Sequence, residues 1–473
     1  MPVGQTLLYG IGQMAHQIFD SGVGYLAFYV FNISLGVSPI LVGVAQGISR
    51  GVDLFTDPLA GYLSDSMRGH KWALRLLICA GTLLGGVCFA MIWLFPSGLT
   101  PFGYFVWLLG AFSLASAGWS FCSIPRQALG FEMTHDTHER GRLMATASFA
   151  ALLCNLGLAW SYAATQLPIF KGTVDGSRWV GGAMGAAIIA FGLPFAFFYR
   201  VPGSSARPDL ARADVVRRAS STDFRQALGR MCRCRPFLML IATVALVIIG
   251  MLSTTYGVSH CIALYYLSSG SQPRASIILG GGNTAWIVAG MVFTAPTVWL
   301  SRRIGKKEAL MAFLSVSIVG ALLKWVCYNP RWPWLYTIPH ALFGVGIGAV
   351  AALVPAMTAD LCDLEEAVSG ARDSGMFSAF YNWTIKLGIS VSIALSGVVL
   401  NLSGFDVSHG ASQGGRTILL MRLIDTSFPA VTIGLAVLVL SRYPITADQV
   451  EAVRVTLAQR KAAARGGPAR AAS

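Results

Sequence analysis

Asp53 and Asp57 stand four residues apart inside the apolar run 40–63, so a helix sets both on one face, with Arg50 one turn before them. Placing one carboxylate at mid-membrane costs ~2.5–3.5 kcal/mol, so two of them call for a partner. A small hard cation such as Na⁺ takes several oxygen ligands, and the two carboxylates with the Thr56 hydroxyl between them can supply these. The same pair can share a proton, because like charges held close favour protonation of one. Bracing against Arg50 is the plainer reading; intramembrane acids mark ion pathways often enough to favour a coupling role. Arg50 then neutralises one acid when the site is empty.

Lys386 is the other deep charge, too central in its apolar window to snorkel to a membrane surface. It is expected to face a cavity and pair with Asp53, Asp57 or a bound solute, and Asn382 one turn earlier shares its face. Ser120 and Ser123 close the fourth apolar window. Their hydroxyls can serve a cation if they face Asp53, or bond backbone instead. His16, Gln17 and Asp20 put more polar atoms in the first window than packing needs. Trp119, Tyr256, Tyr265, Tyr266 and Trp383 offer flat faces for stacking on a sugar, although packing or lipid contact suits any single one of them. His260 is a lone histidine, which suits a structural hydrogen bond.

Positioning these groups requires a membrane bundle. The chain has 473 residues, 55% hydrophobic and 12% charged, where soluble domains carry about 25% charged residues. The net charge of +14 does not point to nucleic acid here, because Lys and Arg collect in cytoplasmic loops facing anionic lipid. Nine scattered cysteines give neither a disulfide framework nor a zinc spacing. The start of the chain lacks the basic region of a cleavable signal. Apolar windows predict an all-α membrane protein with spans near 7–31, 39–63, 73–96, 101–124, 142–167 and 177–199. A second set follows near 237–267, 276–300, 309–328, 333–357, 374–400 and 418–441. The expected organisation is a six-helix bundle over 1–200, an Arg-rich middle loop over 201–236, a second bundle over 237–441 and a tail over 442–473. Basic residues such as Arg68, Lys71, Arg302, Arg303, Lys306 and Lys307 gather on one side, placing both termini in the cytoplasm.

A weak internal repeat joins the halves. Gly61, Asp65, Arg68, Gly69 and Lys71 follow the second window, and Arg302, Arg303, Gly305, Lys306 and Lys307 follow the eighth, six windows later. Two six-helix halves so related place a binding site between them at the midplane. This resembles the major facilitator superfamily, whose second-to-third helix loop has a similar signature. Asp360 and Asp363 near the end of the tenth window, with Arg372 beyond it, lie at the cytoplasmic boundary. With Arg126, Arg140 or Arg142 they read as a gate of breakable ion pairs.

A closer resemblance runs from Leu8 to about Thr446. Tyr9 and Gly12, the Arg50-x-x-Asp53-x-x-x-Asp57-Pro58 run, Ala359-Asp360-x-x-Asp363, Lys386 and Arg442-Tyr-Pro444 look like the glycoside–pentoside–hexuronide:cation symporters, a melibiose-permease-like branch. The resemblance implies the major facilitator fold in two six-helix bundles. Asp53 and Asp57 match the family's cation-site acids, Ser120 its cation-ligating hydroxyl, Lys386 its cavity lysine and Arg50 its charge partner. The family's sugar-gripping acid in the first helix falls at Gln17 unless Asp20 replaces it. A fifth-helix arginine falls at Ser148, and a fourth-helix acid and aromatic fall at Ser123 and Gln127. The coupling residues are thus kept and the galactoside-gripping residues are not.

The resulting expectation is a Na⁺- or H⁺-coupled secondary transporter, acting as a monomer in a bacterial inner membrane and carrying a sugar or glycoside by symport. A lysolipid-like or drug-like solute, by proton antiport, is the alternative. Substrate is expected near Gln17, Asp20, Trp119, Ser123, Tyr256, Asn382 and Trp383. No cofactor and no partner beyond lipid and a small solute are implied. A lipid-head-group transferase would need a catalytic cluster at one membrane face; the acids at Asp360 and Asp363 show no metal-ligand spacing, so an enzyme is not expected.

Overall fold

The computed structural model describes residues 3–67, 71–133, 137–199, 234–369, 374–405 and 413–445, with Gln449 and Val453. Regular structure in these residues is helical. The long helices are α1 (Val3–Ala27), α2 (Pro39–Ser66), α3 (Lys71–Trp93), α4 (Pro101–Glu132), α5 (Thr137–Leu158) and α6 (Thr173–Phe198). The second half supplies α7 (Arg235–Thr255), α8 (Gln272–Ile304), α9 (Lys306–Cys327), α10 (Thr337–Ser369), α11 (Ser374–Leu402) and α12 (Gly415–Ser441). Several run beyond their apolar windows, because a window measures only the hydrocarbon layer and a helix continues past it.

Ten helices among the described residues are long and apolar enough to cross a membrane. Twelve were expected. α1 and α2 stand outside the ten, and they hold Gln13, His16, Gln17, Asp20, Arg50, Asp53 and Asp57. The polar groups that a site needs lower the very signal that reveals a span.

Packing repeats between the halves. α1 packs on α5 and α6, α3 on α4 and α6, and α2 on α4. α7 packs on α11 and α12, α9 on α10 and α12, and α8 on α10, the same pairings six helices later. Glycines set these approaches: a Cβ at Gly344 of α10 would lie 2.0 Å from the Trp286 carbonyl oxygen of α8.

Successive helices alternate in direction, which defines a terminal face near Val3 and Ser441 and an opposite, far face. The two halves meet chiefly along α2 and α11. Toward the far face their backbones touch: a Cβ at Gly43 would sit 2.6 Å from the Ile393 carbonyl oxygen, and one at Gly397 2.3 Å from that of Pro39. Each half also opens with a helix that ends there in a π-helical turn, Phe28–Ser34 after α1 and Ile262–Leu267 after α7.

Candidate functional site

Helical spacing puts Asp53, Thr56 and Asp57 on one face of α2, and α4 and α11 supply what surrounds them. Ser120 of α4 donates a hydrogen bond to Asp57 Oδ1 at 2.7 Å, and the Thr56 hydroxyl lies 2.9 Å from the same Ser120 oxygen. From α11, Lys386 Nζ reaches Asp57 Oδ2 at 2.5 Å and Asp53 Oδ2 at 4.0 Å. One ammonium thus sits against two carboxylates, and a hydroxyl bonds the far oxygen of Asp57. Asp53 is buried, whereas the Lys386 side chain is 47% exposed. The ion pair joins the two halves and leaves much of the lysine side chain accessible.

Arg50 turns the other way. Its guanidinium donates to Asp20 Oδ1 at 3.0 Å and to the Asp20 main-chain carbonyl, and it lies over the rings of Phe19 and Phe112. Arg50 therefore takes Asp20 of α1 as its hydrogen-bonded carboxylate, where the sequence suggested one of the two α2 acids. The reason is geometric, since Arg50 sits a turn nearer the far face and meets α1. His16 Nε2 lies 3.4 Å from Asp20 Oδ2, and its Nδ1 accepts from the Trp119 indole at 3.2 Å. Four helices (α1, α2, α4 and α11) thus converge on one polar strip from His16 to Lys386.

A family model described as MFS/sugar transport protein matches residues 8–447. The chain belongs to that family. Among its relatives, the isoprimeverose transporter of Lactiplantibacillus pentosus is 22% identical over 95% of this chain and 90% of its own length. The sodium-dependent lysophosphatidylcholine symporter 1 of Mus musculus is 24% identical over 94% of this chain and 86% of its own. In fold, the chain is similar to the crystal structure of a D-xylose-proton symporter, with a TM-score of 0.65 at 14% identity, covering 94% of this chain and 98% of that one. As a member of the MFS/sugar transport family this protein is an integral membrane transporter and not an enzyme.

Within this family member, the other residues singled out from sequence separate. Gln17 donates to Ser21 at 2.8 Å on α1. Trp119 is 3% exposed and stacks on Phe19 with ring centres 5.0 Å apart, so its indole face is taken by packing. Ser123 is half-buried one turn beyond Ser120, while Asn382 and Trp383 are exposed on α11 beside Lys386. Tyr256 lies nearer the far face, where α7 breaks, with its ring against Gly24 of α1.

At the terminal face, Asp360 of α10 accepts from Lys306 of α9 at 2.5 Å. That bond lies within the second half. Arg126, one of the cations considered for Asp360, instead donates to Gln13 at 3.0 Å and lies over the Tyr9 ring. Asp363 is half-buried on α10. The Arg140 side chain and all of Arg372 lie outside the described residues, as do 200–233 of the middle loop and most of the tail.

A second ion pair was missed in the sequence. Lys324 of α9 and Asp425 of α12 are both fully buried, with Nζ to Oδ1 at 2.9 Å. Tyr328 donates to Asp425 Oδ2 at 2.7 Å, and Ser259 lies 2.9 Å from both carboxylate oxygens. Both charges sit inside apolar windows, so the rarity test that picked out Asp53 and Lys386 would have found them.

Proposed function

We propose that this protein is a cation-coupled sugar or glycoside symporter in which Asp53, Asp57, Thr56 and Ser120 receive the driving cation. The observation that carries this reading is Lys386 Nζ lying 2.5 Å from Asp57 and 4.0 Å from Asp53. A tethered ammonium in that position stands where a mobile cation would be attracted, on a site built from oxygens. Ser120 bonds Asp57 and Thr56 bonds Ser120, so hydroxyl oxygens lie beside the acids, which favours Na⁺, with H⁺ on the same acids second. Arriving cation displaces Lys386, which belongs to the opposite half, and frees it for solute.

Alternating access follows from the same geometry. The halves touch at the far face and are joined across the centre by the ion pairs of Lys386 with Asp57 and Asp53. Exchange of those pairs for a cation changes what holds the halves together, and rocking about the central strip then exposes it to the other side. One cation crossing ~100 mV contributes ~2.3 kcal/mol to accumulation. Solute binds beside the cation, at the strip formed by Asp20, Arg50, His16 and Gln17 with Asn382 and Trp383. A sugar fits these donors and acceptors, and the isoprimeverose transporter among the relatives supports this class. Asp360, held by Lys306, serves as a terminal-face latch, with Asp363 and Arg372 near it in the chain and Arg140 in the first half. The proposed setting is a bacterial inner membrane with both termini cytoplasmic and the single chain as the working unit.

Uptake of a labelled saccharide panel into proteoliposomes under an imposed Na⁺ or H⁺ gradient tests the reading. Accumulation driven by neither gradient for any saccharide, with facilitated diffusion intact, would overturn it.

A further inference from the structure

The Lys324–Asp425 pair is joined to a break in the helix beside it. α7 stops at Thr255, Tyr256 and Gly257 form a turn, and the chain resumes as the four-residue helix Val258–Cys261 before its π-helical turn. A Cβ at Gly257 would lie 2.5 Å from the Ser396 hydroxyl, so the turn packs closely on α11. Helical hydrogen bonding is interrupted at this turn, so its geometry must be fixed from outside. Ser259, the second residue after the restart, supplies that hold through its contacts with both Asp425 oxygens.

On either side of Ser259 the chain reaches the other half. His260 lies on Tyr29, ring centres 4.8 Å apart, and Tyr29 stacks on Tyr162 at 3.6 Å, both from the first half. The His260 ring is also tied to the Tyr256 carbonyl at 3.0 Å, and Tyr256 rests against Gly24. The same three residues, Tyr256, Ser259 and His260, therefore link the sealed ion pair to the far-face closure.

An ion pair with no exposure adds little net stability over an apolar replacement of equal volume, so its presence calls for another role. Asp425 is fully buried among three donors: Lys324 on one oxygen, Tyr328 on the other and the Ser259 hydroxyl between the two. We propose that the Lys324–Asp425–Tyr328 cluster is a positioning device for the far gate. It fixes, through Ser259, the broken segment that carries His260 and Tyr256 against the first half. The carboxylate acts as a rigid anchor for a hinge, and solute and cation do not reach it. This rests on the alternating-access reading above, but its test needs no transport and can fail separately.

Cys261, fully buried and two residues past Ser259, reports on the gate. Purified full-length protein in nanodiscs is treated with a charged methanethiosulfonate, and labelling of each cysteine is followed by peptide mass spectrometry. In Ser259→Ala, Cys261 should label about tenfold faster, the effect of losing one hydrogen bond to a charged acceptor. Cys79 and Cys88 of α3, buried in the other half, should keep their parental rates, and Ser259→Thr should restore protection. Asp425→Asn should resemble Ser259→Ala at Cys261. Unchanged labelling of Cys261 in Ser259→Ala overturns the proposal. So does equal acceleration at Cys79 and Cys88, which marks general loosening.

Discussion

Lys386–Asp57 and Lys324–Asp425 are the same chemical pair in opposite settings. The first joins the two halves and leaves the lysine side chain 47% exposed; the second lies within one half, and both side chains are 0% exposed. An ion pair that water reaches is weak and exchangeable, with a median worth of about 0–1 kcal/mol. A sealed pair can be neither hydrated nor exchanged, and removing one member strands the other charge in the interior. The first pair suits a site that must trade its cation on every cycle. The second suits a part that must keep its shape throughout.

That contrast sets the order of expected effects. Asp425→Asn should lower stability by roughly 3–5 kcal/mol, measured as the midpoint of thermal unfolding in nanodiscs. The double replacement Lys324→Met with Asp425→Leu should recover most of the loss, because no charge is then stranded. A single variant as stable as its parent would erase the distinction between the pairs.

Asp57→Asn should instead leave unfolding within about 1 kcal/mol of the parent. Its cost falls on coupling: solute accumulation at ~100 mV should drop from about fiftyfold toward unity, the loss of ~2.3 kcal/mol of drive. Retained gradient-driven accumulation in both Asp57→Asn and Asp53→Asn would remove these acids from the cation site.

Lys386→Ala has a smaller effect of opposite sign. Without the competing ammonium, the Na⁺ concentration that half-stabilises the protein against heat should fall by up to roughly fivefold. A rise would mean that Lys386 helps to hold the cation rather than competing with it. Ser120→Ala should weaken the same Na⁺ response by about fivefold, the worth of one polar contact, while leaving any H⁺-driven uptake intact. Equal damage to both modes would point to a packing role for Ser120.

Particular residues show where sequence suffices. The apolar windows and the scarcity of charge give a helical membrane protein, because a span must satisfy its backbone internally and cover it with apolar side chains, whatever its neighbours are. The second and eighth windows end in related basic motifs, and the packing of the two halves repeats with the same six-helix shift. Asp53 and Asp57 could be placed on one face by spacing alone. Local periodicity and the cost of a buried charge carry that much.

Partners are another matter. Arg50 is one turn from Asp53 in sequence, yet its guanidinium bonds Asp20, thirty residues away on α1. Trp119 offered a stacking face, but Phe19 already covers it. Lys386 and Asp57 are separated by 329 residues and Lys324 and Asp425 by 101, and no local pattern pairs them. Composition and local spacing are enough to make this chain cross a membrane as helices that carry acids there at a cost. Which charges meet depends on the bundle, because a helix sets the direction of its side chains and helix packing sets what they face. So Lys386 became an exchangeable link between halves, and Lys324 a sealed anchor within one.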